Sequence, residues 1–171
     1  MEQMERIIII GCGGSGKSTL AKQLGEKLKL PVVHLDQLYW KENWQHISDE
    51  EMDQRVAEVV NQSKWIIDGN YNRTISARLE QCDTVIYLDY SRFTCLRGVF
   101  KRVITTYGRV RSDMGEGCPE RFDLEFIKWV WNFNKNHRKK YYDMLAALKE
   151  KNVLIFRSRK ECRRFVERIA E

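Results

Sequence analysis

The segment GCGGSGKST, residues 11–19, could bind phosphate groups in two different ways. Its three glycines match the dinucleotide fingerprint G-x-G-x-x-G, and Asp36 stands about 20 residues further on, where that fingerprint requires a carboxylate for the ribose. The same glycines followed by Lys17 and Ser18 match the P-loop pattern G-x-x-x-x-G-K-S. The first interpretation indicates a redox enzyme, and the second indicates a phosphoryl-transfer enzyme.

In the P-loop interpretation, each residue type in the segment has a phosphate-binding role. Backbone N–H groups would wrap the β-phosphate, the Lys17 ammonium would bridge β and γ oxygens, and the Ser18 hydroxyl would ligate Mg²⁺. The predicted nucleotide-binding residues of the loop are Gly11, Gly13, Gly14, Ser15, Gly16, Lys17, Ser18 and Thr19.

Three carboxylates follow apolar runs that are typical of buried strands. Asp36 ends VVHLD, Asp68 ends WIID, and Asp89 ends VIYLD. Asp36 would lie where an acceptor hydroxyl meets the γ-phosphoryl group, and it could orient or deprotonate that hydroxyl; a cap or loop carboxylate is the alternative. Asp68 and Asp89 are the candidates for the acid that holds Mg²⁺.

A particular order of strands and helices must position these residues. Residues 6–10 form an apolar strand pattern and residues 17–29 carry leucines at helical spacing, so the Gly-rich loop joins a strand to a helix. Four further strands are predicted at VVHLD, WIIDGNY, DTVIYLDY and NVLIF. Further helices are predicted at residues 48–61, 74–80, 91–106, 122–151 (one long helix or two) and 160–170. This alternation indicates an α/β fold with a five-stranded parallel sheet flanked by helices.

The strand count and the residues after the third glycine decide between the two interpretations. The dinucleotide fold classically needs six strands and usually a second domain for the substrate, and 171 residues leave no room for these. A dinucleotide pyrophosphate also has no terminal phosphoryl group for Lys17 to neutralise, whereas a nucleoside triphosphate has one. We therefore predict a P-loop fold in a single domain, residues 1–171.

Composition predicts a soluble, cytoplasmic protein. The run of four isoleucines at residues 7–10 is too short for a signal peptide core or a membrane span. The five cysteines are scattered and form no C-x-x-C pair, which favours reduced thiols over disulfides or zinc. Cys12 lies beside a helix N-terminus and Lys17, so a lowered thiol pKa is the alternative to a simple place in the loop.

Charge is unevenly distributed along the chain. Residues 1–90 carry 10 basic and 14 acidic side chains, whereas residues 91–171 carry 20 basic and 10 acidic. The second half, at +10, suits a polyphosphate, a nucleic-acid backbone or simply a solvated surface. Charge alone does not choose among these partners.

The stretch WIIDGNYNRT resembles the adenylate-kinase-type segment in which a strand ends Asp-Gly and an arginine a few residues later grips the acceptor's phosphate. The resemblance implies that Asp68, ahead of Asp89, is the acid on the magnesium side. It also implies that Arg73 is the acceptor clamp, although Arg73 lies one residue later than in the family pattern.

Nearly the whole chain resembles bacterial P-loop proteins known as DNA topology modulation proteins, which are grouped with adenylate-kinase-like enzymes. The residues that carry this resemblance are GCGGSGKSTLAKQLGEKL, HLDQLYW, WIIDGNY, GRVRSDMGEGCPERFDLEFIKWVW and FRSRKE. The resemblance implies a nucleotide- or shikimate-kinase-like fold with strand order 2-3-1-4-5.

Enzymes of that fold close a mobile lid with arginines over the phosphates. Residues 107–121 are the lid candidate here, with Arg102, Arg109 and Arg111 as its arginines; an ordinary exposed loop is the alternative. By the same resemblance, Arg157 lies in the loop that passes the adenine base and could stack on it.

Aromatic side chains gather near the ends of the second and third strands. If they are exposed, Tyr39, Trp40, Trp44 and Tyr71 would form a platform for a planar acceptor; if they are buried, they are core. We name Tyr39 and Trp40 as acceptor-binding candidates. The aromatics of the long helix, Trp129 among them, are expected to pack in the core or between helices.

The sequence thus predicts a Mg²⁺-dependent phosphotransferase that moves the γ-phosphoryl group of ATP to a small molecule, possibly a nucleoside or nucleotide. Two alternatives stay open. One is a nucleotide-regulated DNA-binding protein that affects DNA topology with little or no kinase activity, although no helix-turn-helix or RNA-binding signature is present. The other is a mononucleotide sensor without catalysis.

Overall fold

A computed structural model describes residues 4–169 of the chain. The strands are β1 (Arg6–Gly11), β2 (Val32–His34), β3 (Trp40–Lys41), β4 (Gln45–His46), β5 (Trp65–Asp68), β6 (Thr84–Leu88) and β7 (Asn152–Phe156). Five of them form one parallel sheet in the order β2-β5-β1-β6-β7, while β3 and β4 pair as a separate antiparallel hairpin. When only the five strands of the large sheet are numbered, their order is 2-3-1-4-5, as predicted.

Helices fill the connections between the strands. They are α1 (Lys17–Leu28), α2 (Leu35–Tyr39), α3 (Asp49–Val60), α4 (Ile75–Gln81), α5 (Arg92–Thr106), α6 (Leu124–Ala146) and α7 (Arg159–Arg168). The long helical segment is a single helix, α6, which begins where the Asp123 carboxylate accepts the Phe126 backbone N–H at 3.1 Å. No helix within residues 4–169 is both long and apolar enough to cross a membrane.

The central strand β1 shows why the sheet is parallel and covered on both sides. Ile7, Ile8, Ile9 and Ile10 are all 0% exposed, although alternate side chains of a strand point to opposite faces. Such a strand has to be covered by helices above and below, which is the arrangement of parallel sheets. In the register, Ile9 lies opposite Asp68 and Gly11 opposite Leu88, so the strand ends meet at one edge.

The strands β2 and β6 are shorter than the strands predicted at VVHLD and DTVIYLDY. After His34 the chain turns directly into α2, whose LDQLY sequence contains no β-branched residue, so Asp36 lies in the first turn of a helix. The strand β6 ends at Leu88, which leaves Asp89 just beyond it. Both carboxylates still follow the carboxyl ends of sheet strands.

Residues 107–121, hereafter the lid loop, dock on the β3–β4 hairpin. The base of the lid loop is closed because Gly108 N–H donates to the Glu120 carbonyl and Glu120 N–H donates to the Arg109 carbonyl, both at 2.9 Å. Gly115 packs so closely that a Cβ atom would lie 2.0 Å from the Trp40 carbonyl oxygen. Cys118 is buried in this contact, where its thiol donates to the Lys41 carbonyl at 2.9 Å. The segment is therefore a packed loop and not a fully exposed one.

Candidate active site

The Gly-rich loop between β1 and α1 contains backbone conformations that only glycine adopts without strain. Gly14 has φ +76° and Gly16 has φ +99°, and other residues rarely adopt such values. Ser15 fixes the turn because its buried hydroxyl donates to the Cys12 carbonyl at 2.7 Å. The Lys17 ammonium donates to the carbonyls of Gly11 and Cys12, both at 3.0 Å, and so lies inside the loop.

Two helices and an arginine hold the loop from outside. Gly98 of α5 packs against it so tightly that a Cβ atom there would lie 2.0 Å from the Gly14 carbonyl oxygen. Arg159, at the start of α7, donates to the same carbonyl at 3.1 Å. Phe126 of α6 contacts Gly13. The loop is thus wedged between α5, α6 and α7.

Ser18 and Asp68 form an oxygen-rich pair next to Lys17. The Ser18 hydroxyl donates to Asp68 Oδ2 at 2.8 Å, and the buried His34 Nδ1 hydrogen-bonds to Asp68 Oδ1. Within residues 4–169, no group of three or more His, Cys, Asp or Glu side chains is arranged to hold a metal ion. A hydroxyl and one carboxylate suit Mg²⁺ that takes its remaining ligands from phosphates and water.

Asp36 lies close to this pair and is held by a tyrosine. The Tyr71 phenol donates to Asp36 Oδ1 at 2.9 Å. Burial raises the pKa of Asp36 above its ordinary value, while the Tyr71 hydrogen bond and the Lys17 charge oppose that shift. Burial and the Asp36 carboxylate also raise the pKa of Tyr71, so its phenol stays a donor at neutral pH.

The backbone beside Asp36 is strained and firmly anchored. Tyr71 has φ +27°, which is unfavourable for a residue with a Cβ atom. Arg78, which is fully buried, donates to the carbonyls of Gly69, Asn70 and Tyr71. The Asn70 side chain exchanges two hydrogen bonds with the Gly11 backbone, at 3.0 and 2.9 Å. These contacts fix the position of Tyr71, and of the Asp36 carboxylate that it binds, relative to the Gly-rich loop.

A cavity of about 700 Å³ joins these groups at the carboxyl edge of the sheet. Its floor is the Gly-rich loop with Lys17 and Ser18, and one wall contains Asp36, Asp68 and Tyr71. The opposite walls come from α5, from the lid loop and from α6. The residues of these walls include Gly98, Lys101, Arg102, Thr105, Arg111, Asp113, Phe126 and Trp129.

Two of the three predicted lid arginines line the cavity, and Arg109 does not. Arg102 Nε and Arg111 Nε both contact Glu120 Oε2, at 3.0 and 2.9 Å, and Arg111 Nη1 lies 3.0 Å from Asp113 Oδ2. Burial raises the pKa of Asp113, but the Arg111 charge and the Ser18 hydroxyl outweigh it, so the pKa is lowered overall. Arg109 lies at the base of the lid loop with its side chain exposed, outside the cavity.

The placement expected for Arg73 is wrong. Its side chain is 53% exposed and pairs with Asp53 at 2.9 Å and with Asp49 at 3.4 Å, both on α3. This acidic face attracts the guanidinium away from the cavity. Arg78, five residues later, is the arginine that turns inward, and it binds backbone carbonyls.

Arg157 lies in the loop directly after β7, as expected, but it does not line the cavity at the Gly-rich loop. It lines a separate cavity of about 330 Å³, together with Asp89 and Arg138. Asp89 itself is bound by Arg138 Nη2 and by the Tyr142 hydroxyl, each at 2.7 Å, and is not near Ser18. Asp68 is therefore the carboxylate that the fold brings to the loop.

The aromatic residues Tyr39 and Trp40 support the site without lining the cavity. Tyr39 stacks on His46 with ring centroids 5.0 Å apart, and it contacts the Tyr71 ring at the same distance. Trp40 packs edge to face on Tyr39 and Trp44. Tyr39, Trp40 and Trp44 are half-buried in this cluster, and of the four candidate rings only Tyr71 lines the cavity.

Several residues at the site were not predicted from the sequence. Gly98 interrupts an otherwise glycine-free helix, which was a usable signal for close packing. Trp129 was expected to be core, yet it is 39% exposed and lines the cavity. Asn70 and Arg159 carried no signal, because their partners Gly11 and Gly14 are distant in sequence.

Cys12 is not an activated thiol. It is 1% exposed, and the neighbouring Cys95 thiol together with burial raises the pKa of Cys12 well above its ordinary value. The five cysteines are all buried and free. This agrees with the prediction of reduced thiols.

Comparison with known proteins places the chain among kinase-like P-loop folds. No family model matches it. Over 81 residues it is 32% identical to an adenylate kinase of Clavibacter michiganensis subsp. michiganensis (strain NCPPB 382), a match that spans 47% of this chain and only 38% of that relative's length.

Two solved structures share the fold over almost the whole chain. One is shikimate kinase from Bacteroides thetaiotaomicron, with a TM-score of 0.57, 17% identity, and coverage of 98% of this chain and 96% of that one. The other is shikimate kinase from Acinetobacter baumannii in complex with shikimate, with a TM-score of 0.59, 15% identity, and coverage of 98% and 92%. At these identities the likeness establishes the fold alone.

Proposed function

We propose that the protein is a Mg²⁺-dependent phosphotransferase that moves the γ-phosphoryl group of ATP to the hydroxyl of a small molecule. The observation that carries this proposal is the position of Asp36, a partly buried carboxylate hydrogen-bonded by Tyr71, in the same cavity as Lys17 and Ser18. A protein that only bound a nucleotide would have no need of a second carboxylate held beside Asp68 in this cavity. The kinases among its relatives favour the same class of reaction.

Each of these residues has a separate role in the proposed phosphoryl transfer. Lys17 neutralises phosphate charge, and Ser18 with Asp68 would hold Mg²⁺, which neutralises further charge on the phosphates when bound. Asp36 orients the acceptor hydroxyl and accepts its proton as the new O–P bond forms. Arg102 and Arg111 supply charge from the lid side, where planar guanidinium groups can bind two phosphate oxygens at once. We also propose that residues 1–171 act as one cytoplasmic domain with the lid loop as its mobile part.

The proposal is tested by incubating the protein with ATP, Mg²⁺ and a panel of nucleosides, nucleotides and small alcohols. The panel includes adenylate and shikimate, the acceptors named by the relatives. We expect at least one acceptor to raise ADP release well above the level of a Lys17→Ala variant, and Asp36→Asn to abolish that increase while ATP still binds. If no acceptor raises ADP release above the Lys17→Ala level, the proposal fails.

A further inference from the structure

We propose that Asp113 of the lid loop is a further ligand of the Mg²⁺ that accompanies the nucleotide, beside Ser18 and Asp68. This inference rests on the proposed function, because it adds a residue to the metal position of that reaction. When bound, the metal neutralises phosphate charge. A ligand on the lid loop would also make closure of that loop depend on the metal.

Asp113 is buried in the cavity although it belongs to a loop. It is 8% exposed, and it lines the cavity together with Ser18 and Asp68. A carboxylate that has lost most of its hydration needs hydrogen-bond donors or a cation in place of water. Arg111 Nη1, 3.0 Å from Asp113 Oδ2, meets part of this need. An ionised carboxylate offers about four lone-pair sites, so Asp113 has capacity for a second partner.

Two carboxylates converge on the Ser18 hydroxyl. Asp68 Oδ2 accepts its hydrogen bond at 2.8 Å, and Asp113 is a second hydrogen-bond partner of the same hydroxyl. A serine hydroxyl carries a single proton, so it can satisfy one of these two acceptors at a time. Two anionic groups that share one donor also repel each other. Mg²⁺ is commonly held by one or two carboxylates together with phosphates and water, and these three side chains fit that pattern.

The residue before Asp113 anchors the lid loop to two helices of the site. Lys22 of α1 donates to the Ser112 hydroxyl at 2.6 Å, and Gln37 of α2 donates to the Ser112 carbonyl. These contacts hold Asp113 beside the first turn of α1, which contains Ser18. Lys22 is thereby directed to a hydroxyl and not to a carboxylate. The lid loop thus brings its carboxylate to the position of the metal from about 90 residues further along the chain.

Two other roles for this carboxylate make different predictions. If Asp113 only neutralised Arg111, its removal would free the guanidinium for the phosphates, and the nucleotide would bind equally well or more tightly. If it only helped the lid loop to keep its shape, its removal would weaken nucleotide binding to the same extent with and without metal. A metal ligand instead predicts a loss that is confined to the metal complex. Binding measurements therefore separate the three roles without turnover.

The test compares binding of the nucleotide with and without metal. The probe is the nonhydrolysable analogue β,γ-imido-ATP, and its Kd is measured by calorimetry at saturating Mg²⁺ and again in excess EDTA. We expect Asp113→Asn to raise the Kd measured with Mg²⁺ at least about tenfold, because even residues that only support a metal ligand contribute about 10- to 100-fold to metal affinity. The Kd measured in EDTA should not rise, since the removed carboxylate repels phosphates when no metal is bound. Glu116→Gln, an exposed acid of the same loop, should match the parent chain in both conditions.

Amide hydrogen exchange tests the link between the metal and the lid loop. Addition of Mg²⁺ to the complex with the analogue should slow exchange in residues 107–121 of the parent chain. In Asp113→Asn this metal-dependent protection should be lost, whereas Glu116→Gln should retain it. Asp113→Ser, which also lacks the carboxylate, should behave like Asp113→Asn and replaces it if the asparagine variant is unstable.

The inference is overturned if the Kd measured with Mg²⁺ is unchanged or lower in Asp113→Asn, or if the Kd rises equally with and without the metal. Asp68→Asn and Ser18→Ala distinguish this failure from failure of the proposed function. If these two variants weaken binding of the Mg²⁺ complex while Asp113→Asn does not, the metal position stands without Asp113. If none of the three variants weakens it, the metal role in the proposed function fails as well.

Discussion

Asp36 is placed so that burial opposes the ionisation of its carboxyl group. Burial raises its pKa, and the hydrogen bond from the Tyr71 phenol is the largest influence that opposes the shift. A general base works best when its pKa approaches the working pH, so a raised carboxyl pKa favours proton transfer from the acceptor. The Tyr71 hydrogen bond therefore limits how far the pKa of Asp36 rises. Tyr71 is held in its strained backbone conformation by Arg78, which donates to its carbonyl.

We predict that Tyr71→Phe shifts the acidic limb of the kcat/KM profile to higher pH. The substitution removes the hydrogen bond that stabilises the Asp36 carboxylate, so the pKa of Asp36 rises and the reactive form is lost at a higher pH. Initial rates measured across the acidic range report the limb directly. Tyr107→Phe, an exposed tyrosine outside the cavity, serves as the control. A limb that stays in place would show that Asp36 does not govern it.

Asp36→Asn is predicted to stabilise the fold while it abolishes transfer. Because the pKa of Asp36 is raised in the folded protein, the folded state loses stability as pH rises through that pKa, and the asparagine escapes this loss. The gain in Tm should therefore be larger at neutral than at acidic pH. Asp143→Asn, on an exposed Lys139 pair, should show no such pH-dependent gain. A variant that is equally or less stable at neutral pH would contradict the assigned burial cost.

At the scale of the elements, the phosphate loop depends on how closely α5 approaches it. Gly98 allows contact with the Gly14 carbonyl, and a methyl group would meet that oxygen at 2.0 Å and Arg159 Nη2 at 2.8 Å. A backbone carbonyl oxygen cannot move aside as the end of a flexible side chain can. Either α5 or the loop must therefore shift. The catalytic loop is thus positioned by helix packing as well as by its own glycines.

Gly98→Ala is predicted to weaken ATP binding by about 10- to 100-fold, in line with the cost of about 1–3 kcal/mol for overpacking a tight contact. Displacement of a fluorescent ATP analogue measures the affinity. Arg97→Ala, on the exposed side of the same helix, is the matched control. Equal affinity in both variants would mean that the helix yields without disturbing the loop.

The lid loop is the second element whose position rests on a glycine. Gly115 lies on the Trp40 carbonyl, Asn43 N–H donates to Gly117 at 3.2 Å, and Arg121 lies 4.5 Å above the Trp44 ring. These contacts bring Arg111 and Asp113 to the cavity.

Gly115→Ala is predicted to release the lid loop from the hairpin. A Cβ atom 2.0 Å from Trp40 O cannot be accommodated without separation, so amide hydrogen exchange should accelerate in residues 40–46 and 107–121. Transfer to the acceptor should fall because Arg111 leaves the cavity. Glu116→Ala, an exposed neighbour, should exchange at the parental rate. Unchanged protection in the Gly115 variant would show that the docking does not depend on this contact.

For the whole molecule, the sheet and the centre of the site could be predicted from sequence, whereas the directions of long side chains could not. Buried apolar runs identify strands, and neighbouring parallel strands must bring their ends together, so Asp68 and Asp89 were both expected near the Gly-rich loop. The preference for Asp68 came from the resemblance of WIIDGNYNRT, and in the structure Asp68 is the acid that contacts Ser18. Arg73 points outward because it pairs with Asp53 on the acidic face of α3, some 20 residues earlier, whereas Arg78 points inward. Arg157 and Arg159 differ by two positions, yet only Arg159 reaches the phosphate loop.

The basic second half of the chain carries +10, a sum that already counts its own acids, Asp143 and Glu120 among them. Its Arg138 pairs at 2.7 Å with Asp89, which belongs to the first half, so this pair lowers the positive charge that the second half presents. The basic side chains that remain exposed on α5 include Arg97 and Lys101. Unpaired charge of this kind attracts any polyanion without reading its sequence.

We therefore predict that duplex DNA binds weakly and without sequence preference. At about 150 mM salt the Kd should fall in the non-specific range of about 10⁻⁴ to 10⁻⁶ M and weaken steeply as salt increases, because binding consists of counterion release. Fluorescence anisotropy with several unrelated labelled duplexes, measured from about 50 to 200 mM salt, gives both the affinity and the slope. ATP and Mg²⁺ should compete only modestly, since the cavity is separate from most exposed basic residues. A Kd near about 10⁻⁸ M for one sequence at the higher salt would instead indicate specific recognition and make DNA, not a small alcohol, the partner that the basic half serves.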